Sequence, residues 1–185
     1  MDLTKPEEEF ILELPEKYQN SIHDQFPPEN IKKCDGIYVQ KGHIIGIFLY
    51  FLDKFPIPES IESLNNLQYF FMHCCNSTSL PASFYLLPNL INLEIISSGL
   101  TIIADSIELL KNLRYLNLRQ NPLKQLPDTI GSLQNLEELD LYETQLQEIP
   151  ESIGYLSNLI TLNVSNNQLI SLPDSIGKWG FNNLI

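Results

Sequence analysis

Basic residues are scarce. Eleven lysines and arginines stand against 23 aspartates and glutamates, a formal net charge of -12. A chain this acidic is repelled by phosphate backbones and anionic headgroups, which excludes nucleic acid and anionic membrane surfaces as partners. Cysteine is scarce too. The three present, Cys34, Cys74 and Cys75, are odd in number and two are adjacent, which does not make a disulfide framework. No apolar run approaches the roughly 20 residues of a membrane-spanning helix. The longest, residues 44–52, is strand-sized, so no membrane insertion is expected. The amino terminus, MDLTKPEEEF, is polar and acidic where a secretory signal needs a cationic start and an apolar run. From these absences we expect a reducing, cytoplasmic setting. The glycosylation-type triplets at Asn76 and Asn163 are discounted on the same ground.

Catalytic signatures are also missing. There is no phosphate-cradling glycine loop, no HExxH and no CxxC. Ser175 and Lys178 form a lone SxxK, a motif of some acyl enzymes. It falls where Ser and Lys are ordinary solvent-facing choices. His73, Cys74 and Cys75 are consecutive. Neighbours on a strand point to opposite faces, so the three cannot converge on one tetrahedral ion. Glu138, Asp140 and Glu143 read as a solvated acidic patch or a seat for a basic partner segment rather than a metal site. We therefore expect no cofactor, no metal and no enzyme activity. What the chain does have is 43 % apolar residues in 185, enough for a packed core.

Those residues recur with a period of 23. Leu113, Leu136 and Leu159 keep it, as do Leu126, Ile149 and Leu172, each followed by proline, and Ile130, Ile153 and Ile176. The units read LRYLNLRQNPLKQLPDTIGSLQN, LEELDLYETQLQEIPESIGYLSN and LITLNVSNNQLISLPDSIGKWG. The frame continues backward through Leu90, Leu67 and Ile44 with decay, and Ala104 replaces one proline. Six units tile residues 44–181. Within a unit, Leu116 and Leu118 alternate with Asn117 and Arg119, the period of a strand. Beyond Pro127 the spacing lengthens to that of a helical turn, with proline suited to a first helical position. One such unit cannot bury its apolar side, and stacking lines the leucines into one core. Strands stack ~4.8 Å apart and helices need ~8–10 Å, so the array curves with its strands inside.

The opening LxxLxLxxN of each unit and the LPxxIGxLxNL that follows resemble the leucine-rich-repeat family. The resemblance implies an α/β leucine-rich-repeat solenoid, a right-handed superhelix with a concave parallel β-sheet and short helices or turns on the convex side. It also implies a buried asparagine at the strand's corner, bonding the backbone of adjacent turns. That column reads Leu52, Cys75, Ser98, Asn121, Thr144 and Asn167. Cysteine is an accepted substitute in the family and Leu52 is not, which makes the first unit degenerate and cap-like.

Residues 1–43 lie outside the repeat and are expected to cap it. Thr4 and Glu7 have capping-box spacing, Phe10, Ile11 and Leu14 face the first repeat, and residues 26–28 form a loop. Strand 37–40 pairs with the first repeat strand through a turn near Lys41 and Gly42. Residues 182–185 form the carboxyl-terminal end. Trp179, Phe181, Leu184 and Ile185 close the core imperfectly, or the natural chain continues, or the protein associates through this end.

Alternation sends the third, fifth, seventh and eighth positions of each unit to the concave side. There Phe48, Tyr50, Phe51, Tyr69 and Phe71, with His73 beside them, form an aromatic N-terminal half, and Glu138, Asp140 and Glu143 an acidic C-terminal half. Exposed aromatics and arginine mark interaction sites, so a protein partner is expected on Phe48, Tyr50, Phe51, Tyr69, Phe71, His73, Tyr115, Arg119, Asp140 and Tyr142. The alternative is that residues 1–43 fold over the aromatics and make them core. The function expected is a non-catalytic protein-interaction module or scaffold in signalling. Resemblance to intracellular Ras-associated repeat proteins suggests a small GTPase or a kinase as partner. The competing reading is the recognition domain of a larger kinase, GTPase or ubiquitin ligase. Oligomeric state is not readable.

Overall fold

The computed structural model describes residues 3–24, 35–52 and 55–178. The loop expected at residues 26–28 and the apolar residues from Trp179 onward lie outside them. Helix α1 (Lys5–Glu13) and the single turn α2 (Glu16–Gln19) lead into one eight-stranded sheet. Its strands are β1 (Ile22–His23), β2 (Gly36–Gln40), β3 (His43–Tyr50), β4 (Tyr69–His73), β5 (Asn92–Ile96), β6 (Tyr115–Asn117), β7 (Glu138–Asp140) and β8 (Thr161–Asn163), in chain order across the sheet. Strands β3–β8 are parallel and in register at the 23-residue step, Ile47 beside Phe70, Phe70 beside Leu93, and onward to Leu162. The core fills the space behind them. Each unit sends its first, fourth and sixth residues there, as Leu113, Leu116 and Leu118 do, all buried.

The convex side is built from five-residue 3-10 turns rather than α-helices, at Glu59–Ser63, Ala82–Leu86, Asp105–Leu109, Asp128–Ser132, Glu151–Tyr155 and Asp174–Lys178. The proline stands one place before the turn, not at its first residue. Pro58, Pro81, Pro127 and Pro150 are extended, and each carbonyl accepts the N–H three residues on, as Pro127 does from Ile130 at 3.0 Å. Ala104 has at this position an N–H that proline would lack. The buried Tyr85 hydroxyl, from the preceding unit, accepts it at 3.2 Å. Gly131 marks a close approach of two turns, where a Cβ would lie 2.3 Å from the Ser152 carbonyl oxygen.

At the strand's corner, Asn121 is fully enclosed. Its Oδ1 accepts from the Ser98 and Leu100 N–H groups, both at 3.0 Å, and its Nδ2 donates to the Ile95 and Leu118 carbonyls. Asn167 repeats the pattern on Thr144, Leu146, Leu141 and Val164. Ser98 accepts from Cys75 N and donates to the Ile96 carbonyl, a shorter version of the same link. Just before this corner, the eighth residue of every unit takes a left-handed backbone, from Phe51 (φ 53°) through Cys74, Ser97, Gln120 and Glu143 to Asn166.

The N-terminal segment closes the first edge by several independent bonds. Residues 41 and 42 both have positive φ, and Gln40 pairs with His43, which makes a two-residue primed turn that suits the twist of the hairpin. Ile37 and Val39 join the main core and Tyr38 points the other way. Phe10, Ile11, Leu14 and Tyr18 pack into the same core. The Tyr18 hydroxyl accepts the Tyr50 N–H at 2.7 Å, and Lys17 Nζ donates to the Tyr50 carbonyl at 2.8 Å. Glu7 is 2 % exposed. One oxygen accepts the Thr4 N–H at 3.0 Å, as a capping box requires, and the other accepts the Ile44 N–H at 2.9 Å. It ties helix α1 to the first repeat strand. Glu7→Ala leaves the buried Ile44 N–H unpaired and is expected to cost about 2–3 kcal/mol, read as a lower urea midpoint; a loss under about 0.5 kcal/mol would contradict the link.

Two buried tyrosines give the fold an alkaline limit. Burial pushes Tyr18 and Tyr85 above the ordinary tyrosine value, which is about 10. A raised value means that the neutral hydroxyl is favoured in the folded state. Their contribution is therefore complete below about pH 10 and is lost as pH climbs through the folded values. Urea midpoints are expected to fall between pH 9 and pH 11.5, and to fall less in Tyr85→Phe, which has no phenol to ionise there.

Candidate protein-binding face

The face of the sheet opposite the core has two unlike halves. On β3 and β4 it is closed. Phe48 and Phe71 are paired across the strands and stack at 4.4 Å, 10° from parallel. Tyr38 meets Phe48 edge-on at 4.8 Å, and His23 stacks on Tyr38 at 5.0 Å. Tyr38, Ile45, Phe48 and Phe71 form a second apolar cluster, against which Tyr50 and Tyr69 pack. Phe48 is 0 % and Phe71 3 % exposed. The expectation that these two present themselves to a partner is corrected on that point. They lie on the predicted face, but Tyr38, paired with the side-chain-less Gly46, brings its ring over them. Tyr50 and Tyr69 are half-buried beside the cluster. Phe51 is 79 % exposed, with a left-handed backbone that a bulky side chain adopts only at a cost.

The middle strand is polar. On β5, Asn92 follows Tyr69, Glu94 follows Phe71, and Ile96 follows His73. The His73 ring tilts against Tyr50 at 4.8 Å, with its Nε2 3.8 Å from a Glu94 carboxylate oxygen. Sequence reasoning placed Asn92 and Glu94 on this face without giving them a role, and passed over Tyr38. Tyr38 was findable from the alternation of GIYVQ, which puts it on the same side as Phe48.

On β6–β8 the face is open and acidic. Tyr115, Arg119, Asp140 and Tyr142 are half-buried, while Glu138 and Glu143 are exposed. The fifth-position side chains turn back on their own strands. Asn117 accepts the Arg119 N–H, Asp140 the Tyr142 N–H at 3.0 Å, and Asn163 the Ser165 N–H. The eighth-position side chains form a ladder at the rim, Ser97 donating to Gln120 at 2.9 Å and Gln120 to Glu143 at 3.3 Å. Asn166 donates to the Tyr142 hydroxyl at 2.8 Å and steadies its ring. Just outside the face, Arg114 grips Glu137 with both ends of its guanidinium at 2.6–2.8 Å and lies 5.5 Å above the Tyr115 ring.

Cys74 is exposed and Cys75 buried, with burial pushing the Cys75 thiol up. Among the described residues no group of three or more His, Cys, Asp or Glu side chains is placed to hold a metal. No described helix is long and apolar enough to cross a membrane.

The comparisons with known proteins agree with this architecture. A family model described as a leucine-rich repeat region matches residues 101–180. A leucine-rich-repeat protein of Leptospira interrogans superposes with a TM-score of 0.67 at 27 % identity, over 88 % of this chain and 40 % of its own. The leucine-rich repeat domain of the type III effector XopL superposes at 0.61 and 31 % identity, over 66 % of this chain and 43 % of its own. The plant peptide hormone receptor RGFR1, in complex with RGF2, superposes at 0.57 and 23 % identity, over 83 % and 28 %. The chain thus spans less than half the length of each. No curated protein matches by sequence. The chain is a leucine-rich-repeat protein with the α/β solenoid fold.

Proposed function

We propose that this protein is a non-catalytic interaction module that takes a protein partner in the hollow of its sheet, on Phe51, Tyr50, Tyr69, His73, Tyr115, Arg119, Asp140 and Tyr142. The observation that carries this reading is the contrast between the two halves of the face. Phe48 and Phe71 are sealed into a second core, whereas Tyr115, Arg119 and Tyr142 stand in reach of solvent on a rigid platform of hydrogen-bonded strands. Large, stiff aromatic and guanidinium groups on such a platform desolvate area at little entropic cost. The fold supports the same reading, since RGFR1 is a solenoid of this kind solved in complex with RGF2. The LPxxIG units favour a small GTPase or a kinase as the partner, in the cytoplasm, with residues 1–43 as cap and 44–181 as the array.

A second reading, the recognition domain of a larger signalling enzyme, is supported by one observation: a similar structure is itself a domain of a type III effector. A photo-crosslinking residue at position 115 or 142 tests the binding face. Crosslinks to a protein in native lysate are expected from these two positions and not from the convex positions 109 and 155. Equal yields from both sides would refute it.

A further inference from the structure

We propose that the last described turn of the array, residues 159–178, is a contact between two copies of this chain, related by a twofold axis that sets strand β8 of one beside β8 of the other. The contact lies at the end of the solenoid and does not depend on the reading of the concave face.

Backbone N–H groups tie each unit to the next. In the fifth unit those of Leu141 and Glu143 go to the Asn163 and Ser165 carbonyls at 2.8 and 3.1 Å. Those of Thr144 and Leu146 go to Asn167 Oδ1 at 3.1 and 2.9 Å. The equivalent groups of the sixth unit belong to Val164, Asn166, Asn167 and Leu169. Among the described residues none of these N–H groups meets an acceptor. The core is open there too. Leu136 and Leu146 are fully enclosed, whereas Leu159 and Leu169, one period on, are half-buried. Ile160 is 54 %, Leu172 44 % and Ile170 92 % exposed. Unpaired strand edge and apolar surface together make a template for another chain.

Charge and symmetry select a second copy. Residues 137–151 carry six acidic side chains and no basic one, while residues 152–173 hold no Asp, Glu, Lys, Arg or His. In a chain of net charge -12, this end lets two copies meet without setting like charges face to face. Residues 67–89 also lack Asp, Glu, Lys and Arg, but neighbouring units cover both sides of that turn. The other end of the array is closed by α1 and the N-terminal hairpin, so head-to-tail stacking has no open surface to join. The open end can meet only its own kind, and an isologous contact of that sort closes as a dimer. The twofold runs the two β8 strands antiparallel, carries one sheet through both copies and brings Ile160, Ile170 and Leu172 of each into the seam.

The test is sedimentation velocity of the whole chain over a wide concentration range, paired with amide hydrogen exchange read by mass spectrometry. The mass is expected to rise with concentration from the 21.2 kDa of one chain to twice that and no further, while exchange over residues 164–169 slows in step. Ile170→Glu alters a side chain that the fold does not enclose, so the variant folds as the parent does. It sets two like charges at the seam and is expected to weaken self-association about tenfold or more. Ile102→Glu, at a convex side chain 53 % exposed, is expected to associate as the parent does. A chain that stays monomeric overturns the proposal, whether residues 164–169 exchange fast, which leaves the end bare, or slowly at every concentration, which means that residues 179–185 cover it. Equal association of the two glutamate variants overturns it as well, by placing the contact elsewhere, and so does growth beyond a dimer, by removing the twofold.

Discussion

Serine at both positions 48 and 71 is expected to unfold the first repeats rather than merely blunt a surface. Truncating a buried phenylalanine costs about 3–5 kcal/mol. The two rings stack on each other at 4.4 Å, so their losses overlap and the pair falls short of the sum; roughly 5–8 kcal/mol is expected. That is comparable to the entire stability of an ordinary domain. In a solenoid it is concentrated where the interface is lost, here across strands β2, β3 and β4. Calorimetry is expected to show an early transition for the N-terminal units, with loss of near-ultraviolet aromatic signal. A double variant that melts with the parent would show that the cluster is a free surface.

The second large effect lies at the corner of the fourth unit. Asn121 is 1 % exposed and serves two N–H donors and two carbonyl acceptors, in its own unit and the one before. Alanine there leaves four buried backbone groups without partners. With each unpaired group costing about 1–3 kcal/mol and some recovered by relaxation, a loss of roughly 3–5 kcal/mol is expected in urea unfolding. Asn158→Ala is the control. Its side chain is exposed, makes one bond to the Gln134 carbonyl, and is expected to cost under about 1 kcal/mol. Similar costs at both positions would mean that the corner asparagine does not bind the units together.

The repeat was legible because 23-residue spacing is a property of the chain alone, and parallel strands in register translate it directly into columns. The capping box at Thr4 and the turn at Lys41 and Gly42 were legible for a similar reason, since each is a local pattern with one conformation that satisfies it. What sequence could not give was the third dimension over the concave face. Alternation says that Phe48 points away from the leucines, but not that Tyr38, brought alongside by the antiparallel pairing of Gly36 with Phe48, comes to rest against it. The two-residue strand β1 was equally invisible, being too short to carry a period. So was the reach of Glu7 to the N–H of Ile44, 37 residues away, and the compensation of Ala104 by Tyr85. In each case the partner is chosen by packing between segments. The eighth position was expected on the concave side, but its left-handed backbone in all six units was not foreseen, because Phe, Cys, Ser, Gln and Glu carry no such signal.

The division of the hollow into a sealed half and an open half is tested most directly by hydroxyl-radical footprinting of the folded chain, with side-chain oxidation read by mass spectrometry. Phe51 and Tyr142 are expected to oxidise readily, and Phe48 and Phe71 to stay unmodified until the protein unfolds. Oxidation of Phe48 and Phe71 at the rate of Phe51 would contradict the account.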